Sequence, residues 1–479
     1  MTTTSGTDSI VERCGMGGWS RSAIAAAVLV CLLEAAKLAM FCVADLPPRW
    51  GDAEFYWRLG AQVAAGDVWM TRDPVAFRTP GYPWLLGALQ AAFGDAAARI
   101  AVTLQYFTVG CTTLVTGWWT WRLSGRPWLA VVALSICAIS AARAGYASVM
   151  LTETLFPLAL AIAVYLMTLP RGFDDPRVVL AFSLCWFAAW LLRPAAAALA
   201  PAWIAAVACH VAARNESSRW KAAVAPLLIT AGMGLLVLGP WVARNAWLFG
   251  RPKLTIFLGR ELWGATFKAG AMAPPPLPDS AEGRRVAKLV EAPEELGNNW
   301  IVSHALTSSG LSDVEADDLM RQVAWQAIRA HPVRCAARGG WRAVDFWRAV
   351  YSRSQAFGEE LVELGDPAAD DSRSFCRRVR DGWLSQTWES RLLTTELASL
   401  AALVGVLGLW LNPRTWRAGF ILAATAAGFA LVTATVEHPN YRYRMVLEPM
   451  LLVGGTVGWQ VLFDVLRRGT RSLRETGPP

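Results

Sequence analysis

Charged residues are scarce in this chain of 479 residues. They make up 17% of it, whereas 54% is hydrophobic, and a soluble globular domain carries about 25% charged residues. This deficit excludes an ordinary soluble protein. Apolar runs of about 20 residues recur, each long enough to cross a hydrocarbon core as a helix. Because only helices and closed barrels satisfy their backbone groups in lipid, we predict an all-α polytopic membrane protein.

Histidine is scarce, and the cysteine patterns of metal sites are lacking. The chain has four His and nine Cys, with no Cys-x-x-Cys motif and no Cys/His cluster at the spacing of a zinc site. We therefore predict no metal cluster. Cys335 and Cys376 fall in one predicted outer segment, where an oxidising compartment would permit a disulfide. The sequence leaves the bonded and the free state equally open.

A concentrated basic surface is missing as well. The net charge is +8, but the Lys and Arg residues are scattered among short loops and form no stripe that could follow a nucleic acid. We therefore predict no nucleic-acid partner. The first apolar run, near residues 22–43, lacks a clear cleavage site and is predicted to be a signal anchor rather than a cleaved signal peptide.

The apolar runs predict ten membrane spans, within a range of 9 to 13. The spans lie near residues 22–43, 98–120, 128–143, 148–168, 178–193, 195–212, 222–247, 393–411, 418–436 and 446–466. If the spans alternate, most basic loop residues lie on one side of the membrane, and this bias marks the cytoplasm. Both termini then lie inside.

This orientation divides the chain into five parts. They are a cytoplasmic segment 1–21, a membrane core 22–247 that includes an outer loop 44–97, an extracytoplasmic helical region 248–392, terminal spans 393–466 and a basic cytoplasmic tail 467–479. Within the outer region, "VEADDLMRQVAWQAIRAHP" has apolar residues at helical spacing, which predicts a helix that stops at His331-Pro332.

Two carboxylates open the first outer loop, in "GDAEFYWRLG". Asp52 is the first candidate for a general base, because a positioned carboxylate can take the proton of an attacking hydroxyl. Glu54 is the second candidate. It lies about 200° around a helix from Asp52, at about 100° per residue, so both are not expected to face one site. Simple solvation of either residue is the alternative interpretation.

Arginines and further polar residues collect at the same predicted face. The candidates for binding a phosphate are Arg193, Arg244, Arg442 and Arg444, and the further substrate-binding candidates are Tyr56, Arg78, Tyr82, Glu153 and Asn245. Charge at membrane depth is costly and marks a site or a buried pair. Arg193 and Arg244 could instead be interface anchors, and Glu153 could pair with a nearby Arg. In an extended chain Arg442 and Arg444 would share a face.

The order of these motifs resembles that of the GT-C superfamily of integral-membrane glycosyltransferases. The similarity is closest to the branch of protein O-mannosyltransferases and aminoarabinose lipid A transferases. The motifs that carry it are "GDAEFYWRLG", "RTPGYPWLLGAL", "LTETLFPLAL", "LLRPA", "PWVARNAWLFGR" and "YRYRMVLEP". One departure is the Asp52-Ala53-Glu54 sequence, because protein mannosyltransferases usually have an adjacent Asp-Glu pair. A protein acceptor is therefore in doubt.

The resemblance implies a GT-C-like helical bundle and an inverting sugar transfer on the extracytoplasmic face. The donor would be a polyprenyl-phosphate-linked sugar, and the acceptor a lipid, a glycan or a protein. No cofactor follows with certainty from the sequence, and a divalent cation beside Asp52 is an open alternative. The composition favours a bacterial plasma membrane as the location. The competing interpretations are a transporter or lipid flippase, and a non-catalytic scaffold or sensor.

Overall fold

The computed structural model describes residues 20–44, 46, 49, 51–170, 172–290, 292–349, 375–384, 396–436 and 441–475. Most of the predicted N-terminal segment, residues 350–374 and 385–392 of the predicted outer region, and the end of the tail lie outside these residues.

The described chain is built from helices, and no strand occurs in these residues. The first half contains α1 (Arg21–Val43), α2 (Gly51–Ala64), α3 (Gly81–Phe93), α4 (Ala97–Ser124), α5 (Pro127–Ile139), α6 (Ala141–Ser148), α7 (Leu155–Thr168), α8 (Pro176–Leu192), α9 (Ala200–Ala212) and α10 (Glu216–Phe249). The second half contains α11 (Leu258–Phe267), α12 (Ala281–Leu289), α13 (Asn299–Ser308), α14 (Asp313–Ala330), α15 (Pro332–Arg348), α16 (Phe375–Leu384), α17 (Glu396–Gly408), α18 (Trp416–Val436), α19 (Tyr441–Arg444) and α20 (Glu448–Glu475). Short 3₁₀ turns cover Gly94–Ala96, Gly172–Asp174, Pro194–Leu199, Pro293–Gly297, Leu409–Leu411 and Met445–Leu447.

Among the residues that the structure describes, six helical segments are long and apolar enough to cross a membrane. They are Arg21–Val43, Gly81–Ser124, Pro194–Ala212, Arg219–Phe249, Trp416–Val436 and Tyr441–Arg468. The pair α5 and α6, bent by 48° at Ser140, makes a seventh when counted as one span. The prediction of an all-α, multi-pass membrane protein is thus confirmed.

Three further apolar helices complete the set of ten predicted positions. They are α7, α8 and the segment Leu397–Leu411. Each is shorter than a full crossing: α7 has 14 residues, about 21 Å at about 1.5 Å per residue, against a hydrocarbon core of about 30 Å. Helices α7 and α8 are short because the chain leaves helical geometry at one end of each. Glu153 lies just before the start of α7, and Arg193 lies just after the end of α8.

The outer region folds around its own apolar core. Trp263 of α11 packs there with Val286 of α12, Val302 of α13 and Met320 of α14, all fully buried. A capping box begins α14, in which the Ser312 side chain accepts from the backbone N–H of residue 315 and Glu315 bonds back to the backbone of residue 312. The predicted stop at His331-Pro332 is confirmed, since α14 ends at Ala330.

Helices α11 and α15 of the outer region pack against the membrane helix α18. This contact places the outer region over one end of the bundle. Cys335 and Cys376 are both free thiols in the structure, so the disulfide that the sequence left open is not formed.

Candidate functional site

A cluster of five charged side chains lies at the end of the bundle beneath the outer region. Asp52 comes from the first turn of α2, Arg78 from the loop before α3, Glu153 from the turns before α7, Arg193 from the end of α8 and Arg442 from α19. The breaks between helices therefore supply three of the five groups, because a helix end frees a side chain to turn into the space between elements.

Asp52 contacts two arginines. Its Oδ1 accepts from Arg78, and its Oδ2 lies 3.3 Å from Arg442 Nη1. Its side chain is 35% exposed, so one side of the carboxylate faces open space. The carboxylate is thus oriented by two cations and still accessible.

Glu153 joins two of the arginines from below. Its Oε1 accepts from Arg193 Nη1 at 2.6 Å and also from Arg442 Nε. The side chain is fully buried, and a carboxylate without solvent is stable only when cations compensate it. Glu153 therefore holds Arg442 between two carboxylates. The predicted pairing of Glu153 with a nearby Arg is confirmed.

Aromatic rings surround the cations of the cluster. The guanidinium of Arg78 lies 5.2 Å from the ring of Tyr56 and 5.4 Å from that of Phe77. The guanidinium of Arg193 lies 5.2 Å from the ring of Tyr443. Rings at these distances attract the cations and limit their side-chain freedom, so the arginines are held in place before any ligand arrives.

The cluster faces a cavity of about 370 Å³. Its polar wall includes Asp52, Arg78, Arg193 and Arg442, and its apolar wall is formed by the membrane helices through Phe156, Leu192, Phe429, Val432, Val436 and Val446. The outer region supplies Thr255, Phe257, Leu258, Glu261 and Trp300. The cavity thus joins a charged face to an apolar one.

The electrostatic environment keeps Asp52 ionised. Burial by itself would raise the pKa of this carboxyl, but the charges of Arg78 and Arg442 outweigh burial and hold the pKa below its ordinary value of 3.8. At neutral pH the site therefore contains a carboxylate, which can accept a proton.

Arg442 and Arg444 do not share a face, contrary to the expectation for an extended chain. The segment is helical, as α19, and two residues span about 200° of a helix. Arg442 faces the cavity of Asp52, whereas Arg444 donates to the carbonyl oxygen of Trp347 and lines a separate cavity of about 250 Å³ with Glu448. The helical conformation separates the two arginines.

Arg244 and Asn245 lie away from this cavity and join loops. The guanidinium of Arg244 donates to the carbonyl oxygens of Trp69 at 2.9 Å and of Met70 at 2.6 Å. Asn245 is fully buried and donates to the carbonyl oxygens of Lys253 and Leu254. These contacts give both residues a structural role beside the site.

Two other predicted residues also point elsewhere. Glu54 pairs with Arg49 Nε at 3.1 Å, and its side chain is 53% exposed, so it faces away from Asp52 as the helical spacing predicts. Tyr82 is buried, and its hydroxyl donates to Gln105 Oε1. It packs edge-on against Tyr56 at 5.2 Å and so supports the cavity wall from behind.

The lining residues that the sequence did not single out include Glu261, Trp300 and Tyr443. Glu261 lies in the first turn of α11, Trp300 in α13 and Tyr443 in α19. Glu261 and Trp300 occur in ordinary amphipathic helices without a motif, so no local signal distinguishes them. Tyr443 stands between the two arginines of "YRYR" and could have been inferred from that company.

Within the described ranges, no three His, Cys, Asp or Glu side chains lie close enough together to hold a metal ion. The two carboxylates of the cluster contact arginines instead.

No family model matches the chain, and no curated protein matches it. Among solved structures, it is similar to the crystal structure of ArnT from Cupriavidus metallidurans bound to undecaprenyl phosphate. The identity is 15%, the likeness covers 95% of this chain and 78% of that chain, and the TM-score is 0.31. At these values the likeness supports no conclusion about the function.

Proposed function

We propose that this protein is an inverting glycosyltransferase of the GT-C type. It would take a sugar from a polyprenyl-phosphate-linked donor and transfer it to a hydroxyl group at the outer face of a bacterial plasma membrane. The observation that carries the proposal is the position of Asp52, an accessible carboxylate at a cavity with three arginines on one side and apolar helices on the other.

The charge of the cluster fits a lipid phosphate. Arg78, Arg193 and Arg442 provide three positive charges, and Asp52 and Glu153 provide two negative ones. The remaining positive charge matches the single negative charge of a phosphodiester donor. Because the leaving polyprenyl phosphate gains further negative charge, guanidinium groups placed beforehand stabilise the transition state more than the ground state.

The apolar wall fits the lipid part of such a donor. Phe156, Phe429, Val432 and Val446 come from or adjoin membrane helices, and burial of a prenyl chain against them contributes about 25 cal/mol per Å² of apolar surface. The phosphate would then lie at the boundary between the arginines and this wall. The anomeric carbon of the donor would then face Asp52.

The reaction would proceed by direct displacement. Asp52 takes the proton of the acceptor hydroxyl. At the same time the hydroxyl oxygen of the acceptor forms a bond to the anomeric carbon, on the face opposite the phosphate. The bond between that carbon and the phosphate oxygen breaks, and its electron pair leaves with the polyprenyl phosphate. A single displacement inverts the configuration of the anomeric carbon.

Replacement of the two carboxylates tests the proposal. We expect Asp52→Asn to reduce transfer from radiolabelled polyprenyl-phosphate sugars by about 10²- to 10⁴-fold, the usual contribution of a general base. Glu54→Gln, a matched change on the same helix, should leave the rate near that of the wild type. The measurement is label transferred in membranes at equal expression.

Two outcomes would contradict the proposal. Equal transfer by the wild type and Asp52→Asn would show that Asp52 is not the general base. No transfer by the wild type from a panel of sugar donors would favour a transporter or lipid flippase.

A further inference from the structure

A second cavity adjoins the one at Asp52. Its volume is about 500 Å³, and it shares three lining residues with the first: Glu261, Trp300 and Tyr443. The two cavities therefore meet at these side chains. A molecule in the second cavity would have one end next to the reacting groups.

The walls of this second cavity differ from those of the first. They are built by the outer region, chiefly by α11, by the turn Pro293–Gly297 and by the start of α13. Lys268, Glu294 and Asn298 contribute charged and amide groups, and Gly264, Ala265, Ala269 and Gly297 contribute little side-chain volume. Among the described residues, none of the membrane-helix side chains that form the apolar wall of the cavity at Asp52 lines this second cavity, so the space suits a polar molecule.

Trp300 presents a fixed aromatic surface at the junction. Its ring packs against Phe77 at 5.5 Å and against Phe257 at 5.6 Å between ring centroids, yet 45% of the residue stays exposed. Contacts on one side thus hold the ring, and the remaining side is open to the cavities. A rigid aromatic plane contributes contact area at small entropic cost.

The combination of an aromatic plane with carboxylate, amide and ammonium groups matches a sugar. A pyranose or furanose ring has C–H groups that pack on an aromatic face, and hydroxyl groups around its rim that exchange hydrogen bonds with polar side chains. An acyl chain would need apolar walls instead. A peptide acceptor would need an extended groove rather than a cavity lined by two helices and a turn.

We propose that the second cavity binds the acceptor and that this acceptor is a carbohydrate chain. Trp300 packs against one sugar ring, and Glu261 accepts a hydrogen bond from the acceptor and orients its reactive hydroxyl toward Asp52. The hydroxyl proton passes to Asp52 and its oxygen bonds the anomeric carbon as the polyprenyl phosphate leaves. This inference rests on the proposed transferase function and assigns its acceptor class.

Binding of free oligosaccharides tests the assignment without a donor. The full-length protein in lipid nanodiscs is titrated with a panel of manno-, arabino- and N-acetylglucosamine trisaccharides, and binding is followed by saturation-transfer NMR. We expect Trp300→Ala and Glu261→Gln each to weaken binding by about tenfold, equivalent to about 1.4 kcal/mol. The matched controls Trp341→Ala, on the outer helix α15, and Glu295→Gln should bind as the wild type does.

A parallel measurement with radiolabelled decaprenyl phosphate separates this inference from the proposed function. We expect Trp300→Ala to retain decaprenyl phosphate binding and Arg442→Gln to lose it, while Arg442→Gln retains trisaccharide binding.

If no trisaccharide binds the wild type, or if Trp300→Ala binds the trisaccharide as tightly as the wild type does, the carbohydrate assignment is wrong. Phosphate binding would still support the donor site. Label transferred to lipid or protein instead of glycan would also overturn the carbohydrate assignment. If the wild type itself does not bind decaprenyl phosphate, the proposed transferase function is wrong.

Discussion

Arg442 is the residue that joins the two carboxylates of the candidate site. It contacts Asp52 on one side and Glu153 on the other, and the fully buried Glu153 also holds Arg193. The position of each cation therefore depends on the others. In such a network a single substitution changes the charge around Asp52 as well as the contact it removes.

At the residue scale, the fall of kcat/KM at acidic pH depends on the pKa of Asp52, and the cations around Asp52 set that pKa. Since arginines hold the pKa of Asp52 below 3.8, the wild-type carboxylate stays ionised at moderately acidic pH, and kcat/KM should be flat as the pH falls to about 5. Arg78→Gln removes the first of these cations, so the pKa should rise and the acid limb should move to higher pH. The measurement is kcat/KM for sugar transfer between about pH 4 and about pH 8.

Arg49→Gln is the control for this experiment, because Arg49 pairs with Glu54 and not with Asp52. Its pH profile should coincide with that of the wild type. An Arg78→Gln profile with an unmoved acid limb would mean that Asp52 is not the group that titrates.

At the scale of elements, helix α19 divides two cavities. Its helical geometry directs Arg442 to the cavity of Asp52 and Arg444 to the end of α15, where it bonds the carbonyl oxygen of Trp347. The short helix α7 begins at the charged cluster, and the short helix α8 ends there. Breaks in helical structure at this end of the bundle thus create the site.

Substitutions of the two arginines of α19 should therefore have different effects on ligand binding and on stability. We expect Arg442→Gln to lose polyprenyl phosphate binding and also to lower thermal stability, because the buried Glu153 would keep only Arg193 as a compensating cation. Arg444→Gln should retain binding but lose about 1–3 kcal/mol of stability, because a buried carbonyl loses its donor. Decaprenyl phosphate binding and thermal unfolding in detergent measure the two effects. The opposite pattern would show that Arg444 holds the phosphate.

Helices α17 and α20 cross at glycines. A Cβ atom at Gly458 would lie 1.6 Å from the carbonyl oxygen of Gly405, so the helices could not keep their separation. We expect Gly458→Ala to destabilise the protein by about 1–3 kcal/mol through overpacking. Gly232→Ala in α10, where a Cβ would meet no atom within 4 Å, should be neutral or slightly stabilising. Thermal unfolding of both variants is the measurement, and equal midpoints would contradict the close crossing.

At the scale of the whole molecule, the outer region covers the candidate site. It folds around Trp263 and the apolar faces of α12 to α14, and it contributes one wall to the cavity at Asp52 and most of the second cavity. Its place on the extracytoplasmic side is a prediction from the distribution of Lys and Arg.

Cysteine labelling tests this orientation. We expect a membrane-impermeant maleimide to label Ala281→Cys, at the exposed start of α12, in intact cells. Ala213→Cys, in the exposed loop after α9, should be labelled only after the membrane is opened, because basic loops stay in the cytoplasm. The wild type provides the background from native cysteines. The reverse labelling pattern would invert the topology and place the site inside.

The positions of the apolar helices could be predicted from the sequence alone, because the length and composition that suit a helix to lipid are local properties. All ten predicted spans correspond to apolar helices, and Asp52, Arg193 and Glu153 were candidates from their places at span ends. The pairing of Glu153 with arginine was also predicted. The direction of Glu54 away from Asp52 followed from helical spacing.

Only the tertiary structure decided which of these groups meet. Arg244 is spaced like a site residue but bonds the carbonyl oxygens of Trp69 and Met70, and Arg444 is turned aside by the helix that contains it. Trp300 and Glu261 enter the site from a region more than 180 residues away from Asp52 along the chain. The physical reason is that hydrophobic patterning determines where each helix lies in the sequence, whereas side-chain packing between distant helices determines which charges share a cavity.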